Sequence, residues 1–172
     1  SDRVLYRMKR RYTRQEYAEV VGRLRAIVPD VAISSDFIVG FPGETEEDFE
    51  QTLSLIREIR FANVFAFRYS PRPGTASARW GSEQAITEDV ASERLGRLLA
   101  LQAEIQSEIN RALEGRVFEV LVENRDRKGQ SRGRTACNRV VHVEDGENLR
   151  PGDYALVRIV KGLPNSLLSR VE

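Results

Sequence analysis

The sequence predicts an α/β segment followed by a small all-β barrel, and three observations carry that prediction. Helix and strand patterns alternate with short joints from Thr13 to Tyr69. A long amphipathic stretch follows, from about Thr87 to Leu113. Five short strand patterns, separated by Gly-, Pro- and Asp-rich turns, then fill the last third. Alternation of the first kind is the grammar of a parallel sheet, and clustered short strands are that of a closed barrel.

The elements follow in order. Thr13-x-x-Glu16 is a capping box, in which hydroxyl and carboxylate each satisfy an orphan N–H at a helix start. Behind it Tyr17, Val20, Val21, Leu24, Ile27 and Val28 fall on one helical face, and Pro29 stops the run. Val31 to Phe41 is largely apolar, as a strand buried on both faces is. Pro42-Gly43-Glu44 turns the chain, and Thr45 caps a second helix with Glu46, Glu47 and Asp48 in its first turn, where the dipole favours anions. Phe49, Leu53, Ile56 and Ile59 form that helix's apolar stripe, and Asn63 to Tyr69 is a second buried-strand pattern. Two parallel strands cannot close a sheet. A loop follows around Trp80-Gly81-Ser82, and then the long helix, with a stripe of Ala91, Leu95, Leu98, Leu99, Ile105, Ile109 and Leu113 and with Gly115 at its expected C-cap.

In the last third, Arg116–Glu123, Ser131–Ala136, Arg139–Val143, Tyr154–Val160 and Ser166–Val171 are the strand patterns, with Asp126-Arg127-Lys128-Gly129-Gln130 as a polar turn. Five such strands fit a barrel of the OB type. The expected division is residues 1–110 and 111–172.

Composition narrows the function classes. The chain has 172 residues, 41% hydrophobic and 31% charged, which is that of a globular protein, and no apolar run reaches membrane-spanning length. The basic N-terminus leads into no apolar signal-peptide core. Cys137 is the single cysteine and His142 the single histidine, so neither an internal disulfide nor a metal site of nitrogen and sulfur ligands is expected. A reduced, cytoplasmic setting follows as the expectation. The net charge of +1 hides an uneven distribution: residues 1–30 and 115–172 are basic, whereas 31–114 hold 8 basic against 14 acidic residues. Such asymmetry suggests separate surfaces for separate partners. Only Lys9, Lys128 and Lys161 among the 27 basic residues are lysines. That bias is compatible with nucleic-acid contact, and equally with arginine-rich codon usage.

The motifs leave alternatives open. Gly40-Phe41-Pro42-Gly43-Glu44-Thr45 leaves a strand and opens a helix, the place where α/β sheets bind ligands. It reads either as a nucleotide-holding turn or, with more weight, as a tight turn with a helix cap. It is not a phosphate loop, since no Lys-Ser/Thr pair follows. Ser34, Ser35 and Asp36 are polar residues within the first strand, and Arg68, Tyr69 and Ser70 close the second; two strands ending in polar groups favour a ligand over chance. Arg132, Arg134, Asn138, Arg139, His142 and Lys161 could track an RNA backbone on a small barrel, or form its solvated surface. No carboxylate pair, Ser/His/Asp set or Cys/His pair for hydrolysis is visible.

Three stretches together carry a resemblance: Ser1 to Arg14 (SDRVLYRMKRRYTR), Asp36 to Thr45 (DFIVGFPGET) and Phe67 to Thr75 (FRYSPRPGT). They resemble the radical-SAM methylthiotransferases, and Gly133–His142 with Pro164–Leu167 is similar to the TRAM domain of that family's tRNA-modifying branch. The resemblance covers essentially the whole chain. It implies part of a radical-SAM (β/α) barrel, a long linking helix and a five-stranded TRAM barrel. It also implies an enzyme that adds a methylthio group to C2 of isopentenylated adenosine beside the tRNA anticodon, using S-adenosylmethionine and two 4Fe–4S clusters. By position, Ser34, Ser35, Asp36 and Gly40, Phe41, Pro42, Gly43 and Glu44 would lie along the S-adenosylmethionine pocket, with Arg68, Tyr69 and Ser70 at its mouth. The TRAM residues would grip the tRNA anticodon stem-loop. Both cysteine triplets of the family are missing. The expectation is therefore a C-terminal fragment, inactive alone, whose partner is the missing N-terminal part of the same enzyme. The alternatives are a methylthiotransferase of a ribosomal-protein aspartate, against which Thr135–His142 argues, and a non-catalytic RNA-binding module.

Overall fold

A computed structural model describes residues 1–80, 84–125 and 129–172 and divides into two compact units, Ser1–Gln102 and Ala103–Glu172. The expected turn at Asp126–Lys128 and the loop residues Gly81 and Ser82 lie outside the described residues.

The first unit contains α1 (Asp2–Arg7), α2 (Arg14–Ile27), β1 (Ser34–Val39), α3 (Glu46–Ile59) and β2 (Asn63–Arg68), and it takes in the start of α4 (Glu88–Arg111). Strands β1 and β2 pair in parallel, Ser34 opposite Asn63 and Val39 opposite Arg68. Both expected capping boxes form, Thr13 with Glu16 and Thr45 with Asp48. The α3 stripe is buried throughout: Phe49, Leu53, Ile56 and Ile59. Two features were not expected, α1 itself and a 3₁₀ turn at Ser77–Arg79. Arg3 binds the Asp48 carboxylate, fastening α1 to the start of α3, while Arg14 reaches Gln51 O at 2.7 Å and Glu58 at 2.7 Å.

The strands depart from expectation. Each is covered on one face only. Phe37, Val39 and Val64 turn toward the helices, where the Phe37 ring meets Phe61 edge-on at 5.6 Å. The other face exposes Ser34, Asp36, Ile38, Phe65 and Phe67, the last three at 42%, 52% and 55%. An apolar run specifies that a strand can be buried twice, not that a second layer is present. The α2 stripe behaves alike: Val21 is buried, but Val20, Leu24, Ile27 and Val28 are exposed. On α4, Ala91, Leu98 and Ile105 are buried and Leu99 is exposed; the helix ends at Arg111, short of Leu113.

The second unit is a closed barrel of β3 (Val117–Arg125), β4 (Ser131–Thr135), β5 (Val140–Val143), β6 (Tyr154–Gly162) and β7 (Leu167–Val171), in the order β3-β4-β5-β7-β6. All pairings are antiparallel except β5 with β7. Inward residues alternate along each strand, and Val120, Val141, Val143, Val157, Ile159 and Leu167 fill the interior. Closure leaves no free sheet edge, which is how so small an all-β unit avoids edge-to-edge association.

Candidate functional site

The turn after β1 is built to hold one shape. Gly40 has φ +71° and Gly43 φ +76°, both in the left-handed region. A Cβ on Gly40 would stand 2.8 Å from the Ala91 Cβ, and one on Gly43 would stand 3.0 Å from the Arg7 guanidinium. The glycines thus admit a helix and an arginine of the same chain. The turn's N–H groups are engaged too: Gly40 donates to the Glu44 carboxylate (2.8 Å), Gly43 to Gln84 O (2.7 Å) and Glu44 to Phe41 O (2.9 Å).

Glu44 is the hub of that arrangement. Its carboxylate also accepts from the Arg94 guanidinium at 2.8 Å, both side chains being buried, and Arg94 reaches the Glu44 carbonyl at 3.2 Å. Burial pushes the Glu44 carboxyl above the ordinary carboxylate range, opposed by the Gly40 N–H and the Arg94 charge. On the outer side Arg7 donates to Pro42 O (3.1 Å) and to the Gln84 side chain, and its guanidinium stacks 4.4 Å from the Trp80 ring centre. Phe41 is buried edge-on against Tyr69 and Trp80.

The polar residues of β1 and β2 separate between two adjoining cavities. Ser35 and Asp36 line one of about 150 Å³, together with Tyr12, Arg14, Tyr17 and Glu44. There the Ser35 hydroxyl accepts from Tyr17 at 3.2 Å, while Ser34 and Asp36 are exposed, so none of the three is an unsatisfied buried group. Phe41, Arg68, Tyr69 and Ser70 line the other, of about 820 Å³, with Arg7, Lys9, Arg10, Phe67 and Arg72. Met8, Arg10 and Ile38 border both. Gly40 and Pro42 line a third cavity with Arg68, Tyr69 and Ser70. Arg68 is tied to α4 through Glu88 (2.7 Å) and Ser92 (2.9 Å), whereas the Tyr69 hydroxyl is buried without a hydrogen-bond partner. The residues expected along one pocket thus line three recesses, one along β1 and two at the carboxyl ends of the strands.

The basic barrel residues also divide. Arg132 and His142 stand opposite each other on β4 and β5, both half-buried on the outer face, and Leu168 continues that row onto β7. Arg134 is held by Glu123 (3.2 Å) and by the Asn138 carbonyl and side chain (3.1 Å each). Asn138, at φ +65°, makes the tight β4–β5 turn. Arg139 binds the Asn110 side chain at 2.8 Å, anchoring that hairpin to the end of α4. Lys161 is exposed beside the β6 irregularity. Arg132, His142 and Lys161 are therefore the more available three, and Arg134, Asn138 and Arg139 shape the hairpin.

Arg7 and Arg94 escaped the sequence reading. Arg94 carried a signal, a charge among Ala91, Leu95 and Leu98 on the buried stripe of α4, which a helix tolerates only with a buried partner. Arg7, on a six-residue helix, carried none. Cys137 is exposed, and among the described residues no group of three His, Cys, Asp or Glu side chains could hold a metal ion. These residues do not fit an iron–sulfur cluster that needs three thiolates.

Comparison with known proteins finds matches in both units. The radical SAM superfamily model matches residues 1–56, and the TRAM domain model matches residues 111–171. The tRNA-2-methylthio-N(6)-dimethylallyladenosine synthase of Tropheryma whipplei (strain Twist) is 45% identical over 173 residues, 98% of this chain and 36% of that protein. The proteins of the same name from Kineococcus radiotolerans and Aquifex aeolicus (strain VF5) are each 46% identical, over 97% of this chain and 34% and 37% of their own lengths. The chain spans about a third of the length of these curated relatives.

Proposed function

We propose a function from one premise: the chain belongs to the radical-SAM methylthiotransferase family. Residues 1–172 are read as the part of a tRNA methylthiotransferase that supplies two barrel strands with their ligand-facing ends, and the TRAM domain that holds RNA. The reaction is methylthiolation at C2 of an isopentenylated adenosine next to the anticodon. The observation that carries this reading is the similarity running through both units in order, which ties a strand-end recess and an RNA-binding type of barrel to one activity.

Radical SAM enzymes use S-adenosylmethionine and iron–sulfur chemistry, and the cluster ligands, for two 4Fe–4S clusters, are assigned to the N-terminal part of the same enzyme. Within this chain the S-adenosylmethionine contacts fall to the recess edges, Asp36, Phe41, Arg68, Tyr69 and Ser70. Gly40, Pro42, Gly43 and Glu44 keep the turn in shape, the N–H groups of Gly40, Gly43 and Glu44 being already bonded within the chain. Ser34 and Ser35 extend the wall of β1. The exposed Ile38, Phe65 and Phe67 face belongs to the interior of a larger barrel, completed by strands of that N-terminal part. Arg132, His142 and Lys161 contact the tRNA anticodon stem-loop, with Arg134, Asn138 and Arg139 holding the hairpin that presents them. No described helix is long and apolar enough to cross a membrane. Action on tRNA in the cytoplasm is part of the proposed reading.

The test is a chimaera. Residues 1–172 replace the corresponding segment of the Tropheryma whipplei relative, and the product is expressed in cells lacking the tRNA modification. Mass spectrometry of tRNA nucleosides is expected to show the methylthio adduct. A folded chimaera that leaves tRNA unmodified and instead shifts the mass of a ribosomal protein would replace this reading by the alternative.

A further inference from the structure

The turn between β1 and α3 is set from outside by one residue of α4. The Arg94 Nη1 donates to the Glu44 carboxylate at 2.8 Å and to the Glu44 carbonyl at 3.2 Å, so a single nitrogen holds that residue by side chain and backbone. The oxygen that receives Arg94, Oε2, also accepts from the Gly40 N–H at 2.8 Å. Both ends of the Gly40–Glu44 turn are therefore tied to one guanidinium. One helical turn earlier on α4, the Ala91 Cβ stands where a Cβ on Gly40 would come within 2.8 Å, so the helix also bounds the left-handed start of the turn.

Stability alone does not account for this pair. Taking two charges out of water costs about as much as their attraction returns, and well-packed apolar side chains in their place are often no less stable. Arg94 stands among the buried Ala91 and Leu98, with its guanidinium 5.6 Å from the centre of the buried Phe49 ring, a setting that suits an apolar side chain. Its Nε is buried without a hydrogen-bond partner, a further cost. An apolar pair could not aim a hydrogen bond at Gly40, which is what the charged pair does. Burial favours the uncharged Glu44 carboxyl, and the Arg94 charge opposes it. The turn so held supplies an edge to each recess: Glu44 to the one along β1, Phe41 to the largest, and Gly40 and Pro42 to the third. Arg94 itself lines none of the three. In the Phe41 recess the Tyr69 hydroxyl is buried without a partner, a polar group that a bound ligand would satisfy. A displacement of about 1 Å in such an edge is enough to disturb a bound ligand.

We propose that Arg94 is a positioning residue for S-adenosylmethionine: acting through Glu44 and the Gly40 N–H, it preforms the turn whose Phe41 edge meets the ligand, without touching the ligand itself. The proposal rests on the S-adenosylmethionine reading above and adds to it a residue of α4, outside the Gly40–Thr45 motif.

The test uses the chimaera that joins residues 1–172 to the N-terminal part of the Tropheryma whipplei relative. Equilibrium dialysis measures its retention of S-adenosylmethionine, and steady-state kinetics give KM for S-adenosylmethionine and kcat. Arg94→Met is expected to weaken retention roughly ten-fold, the size of an ordinary coupling between two places in a protein, and to raise KM alike while kcat changes less. Arg94→Lys keeps a charge beside Glu44 but lacks the fork, and is expected to recover part of that loss. Leu98→Ala, an equally buried change one turn along α4, is expected to lower the melting temperature with retention unchanged. Glu44→Gln combined with Arg94→Met leaves no buried charge and regains stability, yet is expected to retain S-adenosylmethionine no better than Arg94→Met; it carries the test if Arg94→Met does not fold. If the parent chimaera retains no S-adenosylmethionine, the underlying reading itself falls. If it does and Arg94→Met retains it as tightly, only the positioning role falls. Equal weakening by Leu98→Ala, or retention like the parent's in the double variant, would reduce Arg94 to packing and overturn the proposal.

Discussion

Asp48 shows how one side chain can organise a helix start and its neighbour. It occupies the third position of α3, where its carboxylate accepts from the Thr45 N–H at 2.8 Å and the Ser1 hydroxyl at 2.6 Å and pairs with Arg3. Burial opposes its ionisation, but Arg3, Ser1 and Thr45 together outweigh burial and hold its carboxyl well below the usual carboxylate range. A carboxylate with a depressed folded pKa contributes stability above its unfolded value, near pH 3.9, and loses it as pH falls from there. Asp48→Asn is therefore expected to lower stability at pH 7 by about 1–2 kcal/mol, the range of a lost cap. The difference from the parent chain should shrink below about pH 4 in denaturant titrations. A constant difference from pH 7 to pH 3 would contradict this role. The Thr45–Asp48 spacing was legible in the sequence because capping is local. The Arg3 contact, 45 residues away, was not, because nothing local records which helix start an arginine reaches.

At the scale of elements, the strand–turn–helix from Ser34 to Ile59 is held as much by distant arginines as by its own residues. Glu44 and Arg94 form a buried pair that fastens the turn to α4. Removing one member leaves a buried charge unopposed, so Arg94→Met is expected to cost about 3–5 kcal/mol. Glu44→Gln combined with Arg94→Met should restore part of that loss, since neither charge then remains. Equal costs for single and double variants in urea unfolding would show that the pair does not act as a unit. Most element identities were readable: periodicity located α2, α3, α4, both parallel strands and all five barrel strands to within a few residues, but not α1 or the 3₁₀ turn. Coverage was not. Val31–Phe41 reads as doubly buried because Ile38 and Val39 are equally apolar, yet Val39 is enclosed and Ile38 is exposed. The basic hairpin was likewise located by composition, while the division of its residues between contact and support required the Glu123 and Asn110 partners.

At the scale of the molecule, the barrel and the two-stranded sheet contrast. The barrel closes on itself with its apolar residues inside. The sheet leaves Asp36 opposite Phe65 and Ile38 opposite Phe67 on an open face. A contiguous exposed apolar surface of that kind marks an interface. On the functional account it is the inner wall of a barrel that further strands complete, and the activity depends on that completion. The measurement that reaches this claim most directly is thiol labelling of Phe65→Cys in a Cys137→Ser background. It would compare the 172-residue chain with the chimaera that joins it to the N-terminal part of the Tropheryma whipplei relative. The account predicts rapid labelling in the chain alone and strong protection in the chimaera. Equally rapid labelling in both would mean that nothing covers the face, and the account would fail.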